Sequence, residues 1–568
     1  MKKIPEKVKE KLQLLLKKNP LINKIVKEID SAGGASYLVG GAVRDLFLDI
    51  PTKDIDIEVH GINLDKLSDL LGKFGPVDLV GKSFGVLKLH GLDVDWSVPR
   101  KDSSGRKPKV EFDPNMSIEE AFKRRDLTIN SMGINLITDE LVDPFNGLED
   151  LNNKILRATD SKFFIEDPLR FFRVMQFISR FEFFPDKKLE EICKKIDISK
   201  VSRERIESEF EKLLLKSKRP SLGIRWLEKI GRLKEVLPEL YETVGVEQNP
   251  EYHPEGDVFE HSMQALDEAT KLVQNYELLA PFDYTQGERI VLPARGELVE
   301  SIRASKEDAL ILLYAALCHD LGKPETTKFE NGKIRSIGHD RAGVDKTKSM
   351  LKRITHNKDL IATVSLLVKY HMSPLLFVKM NAGLAAYKRL ANKLSPYTNL
   401  KMLTLLSIAD KMGRVGDSLH EFNPDEINKF IKKAEEANVY EGIEKPVLLG
   451  KDLLDVVEPG PKLGEMVKEA YKIQIDENIK DKKILKERIM KKFFILLLFF
   501  NLNCTNNRVI AALQDSRIQK LLANGYLHNE AILALSGLHF NLQISDAKLL
   551  RAFQKARIKY NSMGEDVE

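Results

Sequence analysis

Three cysteines in 568 residues, Cys193, Cys318 and Cys504, stand far apart and form no CxxC pair. That scarcity excludes a disulfide-stapled scaffold and a zinc finger, and fits a reducing compartment. The first ten residues, MKKIPEKVKE, lack the apolar stretch of a secretion signal, so the expected location is the cytoplasm. No run within residues 1–490 is apolar enough to suggest a membrane segment. A strong excess of either charge is missing too: 90 basic against 85 acidic residues leave a net +5, which permits an RNA partner without demanding one. No internal repeat is evident.

What is present is length and helical patterning. The chain is long enough for several domains with real cores. Residues 5–30 read as helix interrupted at Pro20 and ended by Gly33-Gly34. YLVGG (37–41) suggests a strand turning into a helix, while IDIEV (55–59), VLKL (86–89) and VDWSV (94–98) alternate as strands do. An N-terminal helical segment (1–30) and a small α+β head on a mixed sheet (31–146) are expected. Lys101 to Pro114, polar and aperiodic, reads as a mobile loop. Apolar residues at three- and four-residue spacing then predict a helical neck (147–245). After a proline-bearing connector, Gln248 to Gly256, they predict a second helical block (246–490).

Two carboxylates, Asp54 and Asp56, flank one residue on a predicted strand, so both face the same side. Oxygen ligands suit Mg²⁺, and a metal pair can activate a 3′-hydroxyl while stabilising a leaving pyrophosphate. A third carboxylate from a neighbouring strand is expected at Asp95, with Asp93 as the alternative. A DxD alone is common on surfaces. Here Gly40-Gly41-Ala42-Val43-Arg44-Asp45 lies just upstream. Its glycines let backbone approach phosphates, and Arg44 offers a guanidinium clamp; the plainer reading is a strand–helix turn whose glycines only pack.

GGAVRD followed by KDIDIEV closely resembles the class II tRNA nucleotidyltransferase and bacterial poly(A) polymerase superfamily, within the polymerase-β-like nucleotidyltransferases. Later segments match in order. RRDLTINSM (124–132), containing Arg125, resembles the motif that places the nucleotide sugar and phosphates. Asp143-Pro144 through Leu151, with Ile155-Leu156-Arg157, resembles the connector from head to neck. EDPLRFFR (166–173) resembles the motif that reads the incoming base, which implies roles for Asp167, Arg170 and Arg173. Asp167 and Arg170, three apart, are expected to be neighbours on one helix face; standing alone they would be a solvated ion pair. Val201 to Leu215, with Arg203, Arg205 and Glu207, resembles the last neck motif, which implies a scaffold for the base-reading helix. By resemblance Gly41 and Arg44 also bind nucleotide. Lys212, Lys216, Lys218, Arg219 and Arg225 can meet phosphates, although a solvated helix face is the plainer reading for any one of them.

The resemblance implies addition of nucleotides to an RNA 3′ end without a nucleic-acid template. Family poly(A) polymerases carry a basic GRRF-like stretch after the metal-binding strand, whereas this chain has Val80-Gly81-Lys82-Ser83-Phe84-Gly85-Val86, closer to the tRNA enzymes. The loop 101–114 is long enough for the lever the family uses to switch from C to A. The expected reaction is CCA addition from CTP and ATP to the 3′ end and acceptor stem of tRNA, with poly(A) synthesis as the alternative.

A second constellation spans residues 253–410: His253, His261, His319-Asp320, His339, His371 and Asp410. A lone helical histidine is more often a satisfied surface or core residue. Here His319-Asp320 closes an apolar helix just before a glycine, and imidazole with carboxylate suits a hydrolytic metal centre. HPEGDVFEH (253–261), HDLGKPETT (319–327), IGHDRAG (337–343), KYHM (369–372) and IADKMGR (408–414) together resemble the HD phosphohydrolase superfamily. The resemblance implies His261, His319, Asp320 and Asp410 as core ligands of a divalent metal, His339 and His371 as auxiliary ligands or phosphate contacts, and hydrolysis of a phosphate ester. A relic that only helps grip tRNA is the alternative.

From Met490 the character changes. MKKFFILLLFFNLNC (490–504) has the charged start, apolar core and terminal cysteine of a lipoprotein signal, yet its apolar run is too short to span a bilayer. Two readings stand for residues 491–568: a fusion of neighbouring genes, or a greasy helix packed on the block before it.

Overall fold

The computed structural model describes residues 2–51, 54–80, 85–102, 110–274, 305–414 and 425–501. These described residues divide into two compact units, one within 1–382 and 394–435, the other within 383–393 and 436–568.

The head strands follow from alternation. They are β1 (Lys2–Lys3), β2 (Ala35–Val39), β3 (Ile55–His60), β4 (Val77–Val80), β5 (Val86–Leu89), β6 (Val94–Ser97), β7 (Arg100–Asp102), β8 (Val110–Phe112), β9 (Gly133–Asn135) and β10 (Glu140–Val142). Eight of them form one mixed sheet in the order β1-β10-β9-β2-β3-β6-β5-β4. The β3–β6 pair is parallel, and the other pairs of that sheet are antiparallel. Ile55, Ile57 and Val59 point into the core with Val94 and Trp96. A period of two therefore turns Asp56, Glu58 and Asp95 to the opposite face. Register does the rest: Asp56 pairs with Asp95 across the strands.

Lys101 to Pro114, read as a loop, contains the antiparallel hairpin of β7 and β8. Strands of three residues are too short to leave a periodic signal. Residues 103–109 of the proposed lever lie outside the described residues, as do residues 81–84 of the stretch compared with GRRF.

The neck is helical, built from Ser161–Glu166, Leu169–Phe181, Lys187–Lys195, Arg203–Lys216 and Ser221–Lys229. Aromatic packing holds it: Phe171 meets Trp226 at 5.7 Å between ring centroids and Phe172 meets Phe210 at 6.4 Å. The histidine-bearing block is also mainly helical, although a hairpin of β13 (Thr327–Glu330) and β14 (Lys333–Ser336) interrupts it; β11 (Ile155–Leu156) and β12 (Phe184–Pro185) form a short parallel pair in the neck. Lys306–Cys318 is the central helix of the block, buried on every side from Ala309 to Cys318. Around it pack Val258–Gln274, Lys358–Tyr370 and Leu400–Met412. The thiols of Cys193 and Cys318 are buried and unpaired, and burial pushes that of Cys193 up to about 12.

Among the described residues one stretch, Lys358–Lys379, is long and apolar enough to cross a membrane by length and composition. It is two helices broken at His371-Met372. In the second unit, Pro461–Glu477 packs against Lys482–Asn501 around Leu448, Leu453, Met466, Leu485 and Ile489. The helix Lys482–Asn501 runs through Met490, so the expected boundary there falls inside an element, and Phe493 packs on this cluster. Residues 502–568 lie outside the described residues.

Candidate active sites

The first site begins with a glycine. Gly40 has φ +73°, and a Cβ there would stand 2.9 Å from Arg125 Nη1 and 3.8 Å from Asp56 Oδ2. Backbone, guanidinium and carboxylate thus crowd one point, and helix Gly41–Leu48 starts from it. Asp54 precedes β3 and is exposed, Asp56 is half-buried on β3, and Asp95 is half-buried opposite it on β6. Burial raises the Asp56 carboxyl above its usual range; Asp95 and Asp54 add to this, while Arg125 and Lys88 oppose it. Lys88 pairs with Asp95 at 2.8 Å. Asp93 is exposed before β6, and the register partner of Asp56 is Asp95 rather than Asp93. Asp56 and Asp95 thus sit side by side on one face with Asp54 just before the strand, and carboxylate oxygens are the donors a hard divalent cation takes.

Asp54 and Asp56, but not Asp95, line a cleft of about 920 Å³. It gathers Gly41, Arg44, Arg125, Asp167, Arg170 and Arg173 beside Asp54 and Asp56, and Lys212, Lys216 and Lys218 line it from the neck. Arg44 is buried and held on several sides. Its Nε donates to Asp45 Oδ1 at 2.8 Å, Nη1 donates to Asn130, and the guanidinium lies 4.6 Å over the Phe181 ring. Arg173 Nε donates to Asp126 Oδ2 at 2.6 Å. Burial alone would raise the Asp126 carboxyl, but Arg173 and Asn130 hold it down at about 2.

Asp167 and Arg170 do not share a helix face. Asp167 ends helix Ser161–Glu166 in extended backbone, and Pro168 caps the next helix, Leu169–Phe181. A proline disfavours helical backbone in the residue before it. Arg170 donates instead to the carbonyls of Phe163 at 2.6 Å and Arg124 at 2.7 Å, and Asp167 pairs with Arg205. Arg205 was thus missed as a partner, since 38 residues separate the two. Glu58 was missed as well. It takes the third alternate position after Asp54 and Asp56, and it lies 3.4 Å from Arg125 and 3.1 Å from His60.

The second site is a buried cluster. His261 Nε2 lies 3.1 Å from both His319 Nε2 and Asp410 Oδ1. His339 Nε2 lies 3.1 Å from His371 Nε2 and 3.4 Å from Asp320 Oδ1. Asp320 Oδ2 lies 3.2 Å from His319 Nε2. The six expected residues therefore form two adjoining triads, His261–His319–Asp410 and Asp320–His339–His371. Ligands about 2.1 Å from one ion stand roughly 3.0–3.4 Å apart, so the spacing and donor types fit divalent metal. Lys323 sits 2.7 Å from Asp320 Oδ2, and Arg414 donates to both oxygens of Asp410 at 2.8 and 2.9 Å. Burial would raise both carboxyls, yet His319 with Lys323, and Arg414 with His261, hold them well below the usual range. Burial, with His339 and His319 nearby, lowers His371 to about 3.

The mixed-sheet head, helical neck and histidine–aspartate block define a polymerase-β-like nucleotidyltransferase carrying an HD domain. Residues 36–157 match the poly A polymerase head domain, residues 186–243 the probable RNA and SrmB-binding site of polymerase A, and residues 258–410 the HD domain. The multifunctional CCA protein of Mannheimia succiniciproducens is 30% identical over 439 residues, covering 72% of this chain and 91% of that protein. Its counterpart in Pasteurella multocida is 31% identical over 67% of this chain and 84% of that protein. The chain belongs to the multifunctional CCA protein family. Its fold is also that of a CCA-adding enzyme solved with CTP, at a TM-score of 0.53 and 19% identity, covering 84% of this chain and 95% of that one.

Proposed function

We infer that this chain is a tRNA nucleotidyltransferase that adds C, C and A to the tRNA 3′ end from CTP and ATP, in the cytoplasm. Membership of the family carries the reading, and the intact carboxylate face of Asp54, Asp56 and Asp95 supports it. Residues 31–146 serve as the catalytic head, 147–245 as the neck and 246–490 as the HD domain. Asp54, Asp56 and Asp95 would hold Mg²⁺, which supplies Lewis-acid activation and charge neutralisation at the triphosphate. Gly41 and the start of its helix face the phosphates with backbone N–H groups. Arg125, braced by Glu58, faces the nucleotide, and Arg44 and Arg173 stiffen the wall behind it. Asp167 and Arg205 present an acceptor beside donors to the base edge, and Arg170 holds that segment in place from behind.

The HD cluster is proposed as a metal-dependent phosphohydrolase site. His261, His319, Asp320 and Asp410, with His339 and His371, would hold a divalent metal that supplies an activated water. Lys323 and Arg414 place positive charge beside it for an incoming phosphate.

The deciding experiment offers the protein a tRNA that lacks its terminal triplet, with CTP and ATP separately and together. Two residues added from CTP alone and three from the mixture are expected. A long adenylate tail grown from ATP alone would overturn the reading in favour of poly(A) synthesis.

A further inference from the structure

We propose that Glu255 is a positioning residue for the HD cluster, holding the His261 ring so that its Nε2 faces the metal. The proposal rests on reading the cluster as a metal centre.

Four imidazoles turn Nε2 inward, and three are held from behind in the same way. His319 Nδ1 lies 2.8 Å from the Ala316 carbonyl, His339 Nδ1 2.7 Å from Ser336 and His371 Nδ1 2.6 Å from Val368. A carbonyl only accepts, so each ring carries its proton on Nδ1 and directs a lone pair inward from Nε2. These three residues stand at helix ends, where the carbonyl three residues back is within reach.

His261 has no such carbonyl. It stands within helix Val258–Gln274, where Asp257 O accepts from its own backbone N–H and Val258 O accepts from Ser262 Oγ. A carboxylate fills that place: Glu255 Oε1 is 2.7 Å from His261 Nδ1. The Glu255 side chain is only 3% exposed, so this charge has been taken out of water and set beside the ring. The same oxygen lies 2.9 Å from His253 Nδ1, and the His253 ring meets that of His261 edge-on at 4.9 Å. Two buried atoms here lack an aligned partner, His261 Nδ1 and Glu255 Oε2. A turn of the carboxylate that gave one oxygen to each imidazole would satisfy both atoms. A carboxylate behind a ligating histidine fixes the tautomer and makes the ring a stronger donor than a carbonyl does. His261 is thereby singled out among the four.

The test uses the full-length chain carrying Asp54→Ala and Asp56→Ala, so that added Co²⁺ reports the HD cluster, followed by equilibrium dialysis and visible absorption. Glu255→Gln keeps an acceptor without charge, and Glu255→Ala keeps neither. The expected result is metal affinity lowered about 10- to 100-fold, more for Ala than for Gln, with shifted cobalt bands. If both variants bind Co²⁺ as tightly as the parent with the same spectrum, the proposal is overturned. The same holds if they lose only thermal stability. A parent that binds no more Co²⁺ than its His319→Ala derivative would instead overturn the metal-centre reading and this inference with it.

Discussion

Arg205 Nη2 donates to both carboxylate oxygens of Asp167, at 3.0 and 2.9 Å, across 38 residues of chain. That contact separates two roles that sequence spacing had merged. Arg205→Ala frees the Asp167 edge, so misincorporation of UTP and GTP rises. The melting temperature changes little, because the pair is partly exposed and such pairs contribute about 0–1 kcal/mol. Arg170→Ala does the opposite. It strips donors from the Phe163 and Arg124 carbonyls, costing roughly 1–3 kcal/mol. Single-nucleotide incorporation and thermal melting on both variants separate the two; an unchanged melting temperature for Arg170→Ala counts against this division.

Asp95 and Asp93 are distinguished by register. Asp54→Ala, Asp56→Ala and Asp95→Ala each lower nucleotide addition by roughly 10²-fold or more, in keeping with the several kcal/mol a metal-held charge supplies. Asp93→Ala, outside the Asp56 pairing, stays close to wild type. Steady-state kinetics with Mg²⁺ as the only metal decides it, and an inactive Asp93→Ala would move the third carboxylate.

The two proposed sites should be separable. A chain carrying His319→Ala and Asp320→Ala loses metal-dependent phosphatase or phosphodiesterase activity yet adds CCA at the wild-type rate. Loss of both activities by a folded double variant would contradict the two-site reading.

Asp126 gives a pH test with a defined sign. Its folded value of about 2 lies below the usual 3.8, so the carboxylate stabilises the fold above pH about 3.8, and this is lost as the pH falls towards 2. The difference corresponds to roughly 2 kcal/mol. Urea unfolding should show Asp126→Asn less stable than wild type by a constant margin above pH about 5, narrowing below about 4. A margin independent of pH would detach the effect from ionisation.

The helix Lys482–Asn501 sets a limit on shortening the chain. Met490 and Phe493 both pack on the cluster of Leu485 and Ile489. A chain ended after Met490 still adds CCA, because the catalytic motifs lie upstream, but it melts lower than one ended after Asn501. Equal melting temperatures would show that the contact of Phe493 contributes nothing.

By itself the sequence determined whatever depends on neighbours in the chain. Alternation in KDIDIEV marked the strand that carries Asp56, although Asp54 falls just before it, and the glycine pair 40–41 marked the strand-to-helix turn beside them. The apolar residues before His319-Asp320 marked a helix that ends there, and the structure has it end at Cys318. What the tertiary structure decided are pairings between distant segments. Parallel register set Asp95, the residue already preferred over Asp93, opposite Asp56, and a helix break at Pro168 gave Asp167 to Arg205 rather than to Arg170. Folding also divided His319 and Asp320 between two triads. The physical reason is the same in each case. Local periodicity sets which way a side chain points, while its partner is chosen by strand register and helix packing, which are collective properties of the fold.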